Sequence, residues 1–139
     1  MKFFTKNLIW FSICLFILTI GLRYGLSTML AGRMFTAVWF LAAGYAIIVF
    51  VAGYLFGRKD NENLPLFDIG FRFHLATYII CNAIAEGWFL LGFQSQFEQI
   101  RSVHLTALFW GLALLVHFII YLVTRRHAIR GIHREELFE

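Results

Sequence analysis

Apolar residues are gathered into four long runs that are separated by short polar breaks. The runs cover about residues 7–22, 35–56, 69–93 and 104–123. Each is close to the roughly 20 residues that an α-helix needs to cross the hydrocarbon core of a bilayer, the first being somewhat short. A helix also satisfies its backbone hydrogen bonds within a single segment, as lipid requires. The pattern predicts an all-α integral membrane protein, a four-transmembrane-helix bundle of two antiparallel hairpins.

The basic residues predict how these helices are oriented. In the predicted bundle one side holds most of them, namely Lys2, Lys6, Arg58, Lys59, Arg72, Arg125, Arg126, Arg130 and Arg134. The other side holds only Arg23, Arg33 and Arg101. Because basic residues accumulate on the cytoplasmic side, we expect both termini in the cytoplasm. The transmembrane domain then covers residues 1–126, and residues 127–139 form a short cytoplasmic polar tail.

The composition agrees with lipid as the main solvent. Of the 139 residues, 60% are hydrophobic and only 14% are charged, against about 25% charged in average soluble domains. The net charge of +4 comes from basic residues at the ends of the apolar runs, which is typical of membrane orientation. We therefore expect the lipid bilayer as a partner and no nucleic acid.

The third apolar run carries polar residues at regular spacing. His74, Tyr78, Asn82 and Glu86 recur every four residues, so they share one face of a helix. We call these four residues the polar stripe. Since polar groups are costly against lipid, this face is expected to point into the bundle.

The fourth run supplies Trp110, His117 and Tyr121. Counting from the loop before it places His117 at the depth of His74 in an antiparallel hairpin. Two facing imidazoles can hydrogen-bond to each other and organise helix packing, or ligate a haem iron, or bind a soft metal. We expect the structural role, with no cofactor and no metal site. A haem b held by His74 and His117, in an electron-transfer membrane subunit, is the first alternative.

Glu86 is the acidic residue most clearly inside an apolar run. An intramembrane carboxylate is a candidate proton carrier or cation site, so a small transporter or proton channel using Glu86 is the second alternative. Arg23, Arg33 and His104 are its candidate partners. The chain has no P-loop, GxGxxG, HExxH or GxSxG motif, and we expect no enzymatic activity.

The second hairpin resembles a known family. His74, Tyr78 and Asn82 lie in HLATYIICN, and Trp110 and Gly111 begin WGLALLVH, which ends at His117. This is similar to the two-transmembrane (2TM) domain family of bacterial membrane proteins, which carries His-x3-Tyr-x3-Asn on one helix and Trp-Gly followed six residues later by His on the next. The resemblance covers about residues 67–126. It implies a bacterial inner (cytoplasmic) membrane protein in which these residues act as a unit.

The family domain occurs alone or attached to signalling modules such as LytTR-type DNA-binding regions and sensor kinases, and its biochemical role is not established. This chain differs by an additional hairpin before the motif and by Glu86 within the first motif helix. We expect a small non-enzymatic integral membrane protein, a structural or interaction subunit. Its partner would be a second copy or another membrane protein. Its binding or structural polar cluster consists of Tyr78, Asn82, Glu86, Trp110 and Tyr121.

Overall fold

The described part of the chain folds into four α-helices. The computed structural model describes residues 4–60 and 66–130, with side chains for 4–60 and 68–124. The helices are α1 (Lys6–Ala31), α2 (Phe35–Asp60), α3 (Leu66–Leu90) and α4 (Ile100–Arg130). No strand occurs within these described ranges. The predicted all-α class and the four helices are confirmed.

The helix bounds differ from the predicted runs mainly at α1 and α4. The first run was predicted to end near residue 22, whereas α1 continues to Ala31. It continues because Arg23 and Ser27 are buried against other parts of the protein, so they do not break the helix. Helix α4 includes residues 127–130 of the predicted tail, and residues 131–139 of that tail lie outside the described part of the chain.

Three of the helices are long and apolar enough to cross a membrane. These segments are Lys6–Ala31, Phe35–Asp60 and Ile100–Thr124. Helix α3 has a comparable length but is not among these segments, and it carries Asp68, Arg72 and the polar stripe. The coarse prediction of membrane-compatible helices is therefore confirmed for three of the four.

The core lies where α1, α2 and α3 meet. Helix α1 buries a single stripe with a spacing of three or four residues, formed by Leu8, Phe11, Leu15, Thr19, Arg23 and Ser27. Phe11 packs on Phe73 of α3 with 4.8 Å between ring centroids and on Phe56 of α2 with 6.4 Å. Ile69 of α3 completes this core, which occupies the end of the array that holds Asp60.

Helix α4 is attached through α3 alone. Among the described residues, α1 packs on α2 and α3, α2 also touches α3, and α4 contacts neither α1 nor α2. In a closed bundle each helix would have two neighbours, so the four helices do not enclose a common interior. The polar stripe of α3 faces α4 instead, and a cleft separates α2 from α4.

Both helix hairpins turn through a left-handed residue. At the end of α3, Gly92 has φ 73°, and Phe93 and Gly92 donate backbone hydrogen bonds to Trp88 and Phe89. This is the Schellman arrangement, in which glycine tolerates the positive φ. The same hydrogen-bond pattern ends α1, with Arg33 at φ 56° in the glycine position. The turn into α2 therefore forms without glycine at its left-handed residue.

Candidate functional site

A cleft of about 740 Å³ opens between α2 and α4. Its floor is formed by α1 and α3, because within the described ranges α4 contacts only α3 and leaves the space beside α2 unfilled. We call it the α2–α4 cleft. It is lined by Phe11, Tyr45, Ala46, Val49, Phe50, Gly53, Tyr54, Gly57, Arg58, Ile69, Gly70, Phe73, His74, Thr77, Trp110 and His117.

Two histidines meet in the wall of this cleft. Nδ1 of His74 on α3 and Nδ1 of His117 on α4 are 3.0 Å apart, a hydrogen bond in which one ring nitrogen donates and the other accepts. Their ring centroids are 4.9 Å apart and the rings are nearly perpendicular at 81°. Gly70 lies next to this arrangement, and a Cβ at that position would be in ordinary van der Waals contact, 3.5 Å from Nε2 of His117. We call His74 and His117 the histidine pair.

The next turn of α3 fits closely against the backbone of α4. The Tyr78 hydroxyl donates a 3.2 Å hydrogen bond to the carbonyl of Ala107, and its ring meets Trp110 edge-on at 5.9 Å. A Cβ on Gly111 would lie only 3.1 Å from that hydroxyl. The Trp-Gly sequence therefore supplies an aromatic contact and the space for a tyrosine against the helix backbone. Asn82 donates to the carbonyl of Tyr78 within α3.

Glu86 pairs with His104 at the opposite end of the polar stripe. Its Oε1 is 3.0 Å from Nε2 of His104, and the two side chains are 48% and 61% exposed, respectively. Of the three candidate partners named from the sequence, the structure brings His104 to this carboxylate. Since residues 74 and 86 are twelve apart on one helix, the two ends of the stripe are about 18 Å apart.

Tyr121 belongs to an aromatic stack and not to the histidine pair. Its ring stacks on Phe71 at 5.1 Å, and Phe118 lies 6.3 Å away. The cluster named from the sequence is thus divided along the α3–α4 interface. Its parts are the histidine pair, the contact of Tyr78 with Trp110, the Glu86–His104 pair, and the aromatic stack of Tyr121.

The histidine pair is the only part of this arrangement that suggests a haem ligand set. A metal held in line between two imidazole nitrogens, with bonds of about 2.0 Å, separates those nitrogens by about 4 Å. The Nδ1 atoms are 3.0 Å apart and hydrogen-bonded to each other, so an iron bound between these two atoms would require the rings to separate. Within the described residues, no group of three or more histidine, cysteine, aspartate or glutamate side chains converges on a metal position.

No family model, no curated protein and no solved structure matches this chain. The site has to be interpreted from its own chemistry. It combines an apolar cleft, two hydrogen-bonded imidazoles in the cleft wall, and a basic residue, Arg58, at the end of α2. Such a combination can hold an apolar molecule and orient it through a small number of hydrogen bonds.

Two polar clusters were not singled out from the sequence. In the first, the Thr19 hydroxyl is 2.8 Å from the Tyr45 hydroxyl, which is 3.3 Å from the Cys81 sulfur, so three helices meet there. The second joins α1 to the loop before α4 and consists of Arg23, Ser27, Trp88, Ser95 and Glu98. The sequence contains a pattern that indicates both clusters, because the polar residues Thr19, Arg23 and Ser27 recur every four residues on α1.

Proposed function

We propose that this chain is a small integral protein of the bacterial inner membrane that spans the bilayer four times, with both termini in the cytoplasm. We also propose that it acts without catalysis, as a structural or interaction subunit. The three long apolar helices support membrane insertion. The resemblance of the second hairpin to the 2TM family supports the bacterial assignment, and membership of that family remains part of the proposal.

The charges of α3 are compatible with a fourth span. Asp68 and Arg72 form a buried pair at 2.6 Å near the start of the helix, and Glu86 pairs with His104 near its end. Between Arg72 and Glu86 the helix contains no charged residue over thirteen positions, 73–85, or about 20 Å. The polar side chains within this stretch are hydrogen-bonded. His74 and Tyr78 bond to α4, whereas Thr77 and Asn82 donate to backbone carbonyls of α3.

The observation that carries the interaction role is the isolated position of α4. In a bilayer an exposed apolar face needs no protein partner, because lipid solvates it as well as leucine does. An exposed polar group is different, because it loses free energy against hydrocarbon. His74 is exposed in the cleft wall beside α4. A partner next to α4 would cover this imidazole.

Haem b binding and transport through Glu86 remain the alternative proposals. The first requires the histidine pair to separate. The second requires a path along the stripe, whereas Tyr78 and Asn82 donate their described hydrogen bonds to backbone carbonyls. An interaction subunit requires neither rearrangement, and we therefore place it first.

Single cysteines test the membrane topology. In a chain with Cys14 and Cys81 replaced by alanine, we expect Gln96→Cys to react with a membrane-impermeant maleimide in intact spheroplasts. Lys59→Cys should react only after lysis, because the positive-inside rule places it in the cytoplasm. Both positions are exposed, so burial would not explain a difference. Reaction of Lys59→Cys in intact spheroplasts would contradict the proposed orientation.

Photo-crosslinking tests the interaction role. A benzophenone maleimide attached to Leu112→Cys, at a position on α4 that is 51% exposed, is expected to join the chain to a protein in native membranes. The matched control is Ile17→Cys on α1, which is 64% exposed and should react mainly with lipid. If both positions yield only the uncrosslinked chain, the interaction role is wrong. An adduct of twice the mass would identify a second copy as the partner.

A further inference from the structure

The histidine pair presents one hydrogen-bond donor and one acceptor to the cleft. When two neutral imidazoles share a hydrogen bond through their Nδ1 atoms, one ring carries its proton on Nδ1 and leaves Nε2 as an acceptor. The other ring accepts at Nδ1, so its proton is on Nε2, which donates. Neither Nε2 has a hydrogen-bond partner among the described residues. Both histidines line the cleft, as does Gly70, next to which Nε2 of His117 lies. The pair therefore contributes its donor and its acceptor to the cleft wall in either tautomeric arrangement.

The position of the pair favours a ligand that is mostly apolar. His74 is eight residues beyond Leu66, the first residue of α3, which places it about 12 Å along the helix. The cleft follows α2 from Arg58 to Tyr45, about 20 Å along its axis. In the proposed orientation Arg58 lies at the cytoplasmic boundary, and the histidine pair lies at the cytoplasmic edge of the uncharged stretch 73–85. The apolar cleft continues past the pair to Tyr45, so it favours a molecule with a polar ring near that edge and an apolar remainder.

The size and walls of the cleft favour a flat ring with an apolar tail. Its volume of about 740 Å³ lies within the roughly 300–1,000 Å³ of small-molecule sites. Its aromatic lining residues are Phe11, Tyr45, Phe50, Tyr54, Phe73 and Trp110. Aromatic side chains pack favourably against other flat rings in offset or edge-on geometry. A tail can leave the cleft between α2 and α4, where no described helix contact closes it.

We propose that the α2–α4 cleft binds a membrane quinone and its quinol, with a ring oxygen hydrogen-bonded to the histidine pair. A quinone carbonyl accepts from the Nε2–H of one ring, and a quinol hydroxyl donates to the bare Nε2 of the other. The pair therefore serves both forms of the ligand without a change of protonation. An acyl chain in the same cleft would leave the donor and the acceptor unpaired, at a cost in free energy. This inference rests on the proposed membrane location and gives the interaction subunit a small-molecule partner.

Binding is tested with tritiated decylubiquinone and the full chain in nanodiscs of synthetic phosphatidylcholine. Empty nanodiscs are used to correct for partition into lipid. We expect saturable binding of one probe per chain, weakened about tenfold by His74→Phe or His117→Phe through the lost hydrogen bond. His104→Phe is the matched control, since His104 does not line the cleft, and should bind as wild type does. Ala46→Trp should abolish saturable binding, because Ala46 lines the cleft and its exposed position tolerates an indole that fills it.

Several outcomes would overturn the inference. One is the absence of binding above empty nanodiscs, and another is equal affinity in wild type, His74→Phe and Ala46→Trp. A Soret band in the absorption spectrum of the purified protein would identify haem as the occupant instead. A dimer that Ala46→Trp dissociates, together with no probe binding, would identify a second copy. Cysteine labelling reports the topology independently, so failure of quinone binding is distinguishable from failure of the membrane proposal.

Discussion

Glu98→Ala is expected to lower the free energy of unfolding by about 3–5 kcal/mol, the usual effect of removing one partner from a buried ion pair. Glu98 accepts a 2.8 Å hydrogen bond from Arg23, and the two side chains are 6% and 10% exposed, respectively. Its other oxygen accepts from the Ser27 hydroxyl at 2.6 Å and the Ser95 backbone N–H at 3.0 Å. The substitution leaves these donors and a buried guanidinium without their acceptor. Unfolding by sodium dodecyl sulfate, followed by circular dichroism in mild detergent micelles, measures the change.

The exposed ion pair provides the control for this prediction. Glu86→Ala removes the carboxylate that pairs with His104, but both side chains are about half exposed or more. Exposed pairs contribute at most about 1 kcal/mol, so the free energy of unfolding of this variant should be close to that of the wild type. The double variant Arg23→Met/Glu98→Leu should be more stable than Glu98→Ala, because no buried charge remains. Equal effects of Glu98→Ala and Glu86→Ala would show that the Arg23–Glu98 pair does not hold the loop on α1.

Phe11→Ala is the second substitution for which we expect a large effect, a loss of about 2–3 kcal/mol in the free energy of unfolding. The Phe11 side chain is 2% exposed and lies between Phe56 of α2 and Phe73 of α3. In a soluble core, Phe→Ala costs about 3–5 kcal/mol through lost apolar transfer and the cavity left behind. In lipid the transfer part is small, because the unfolded side chain stays in an apolar solvent. The free-energy cost of the cavity remains, because the cavity would lie where α1, α2 and α3 meet.

The control for Phe11 lies on the same helix. Phe16 is 50% exposed, so Phe16→Ala removes the same atoms without opening a cavity between helices. We expect it to change the free energy of unfolding by no more than about 0.5 kcal/mol. The same detergent titration measures both variants. A similar loss for both would mean that the contact of α1 with α2 and α3 does not depend on tight packing at Phe11.

The four helices were predictable because apolar composition over about 20 residues is a local property of the chain. The length of α1 was not. Arg23 was interpreted as the beginning of a polar break, since an isolated arginine normally ends an apolar run. In the structure its partner is Glu98, which is 75 residues away in the sequence. The pairing removes the reason for the helix to end, and α1 continues for two more turns to Ala31.

The candidate site was predictable in part. Helical spacing placed the polar stripe on one face of α3, and counting from the loop placed His74 and His117 at one depth. The structure brings these imidazoles into a direct hydrogen bond. The cleft beside them was not predictable, because hydropathy does not specify which helices touch. It arises because the described residues of α2 and α4 do not contact each other, an outcome of packing among helices with similar apolar surfaces.

The sequence by itself determined the fold class, the number of helices and the faces that carry polar residues, because these depend on composition and on the 3.6-residue period of a helix. The tertiary structure alone decided that Arg23 pairs with Glu98, that Glu86 pairs with His104, and that α4 stands apart from α1 and α2. Lipid-facing and helix-facing surfaces are both apolar, so hydropathy does not distinguish them. The choice of neighbours depends on shape and on the few polar contacts between helices, which become visible only when the helices are packed together.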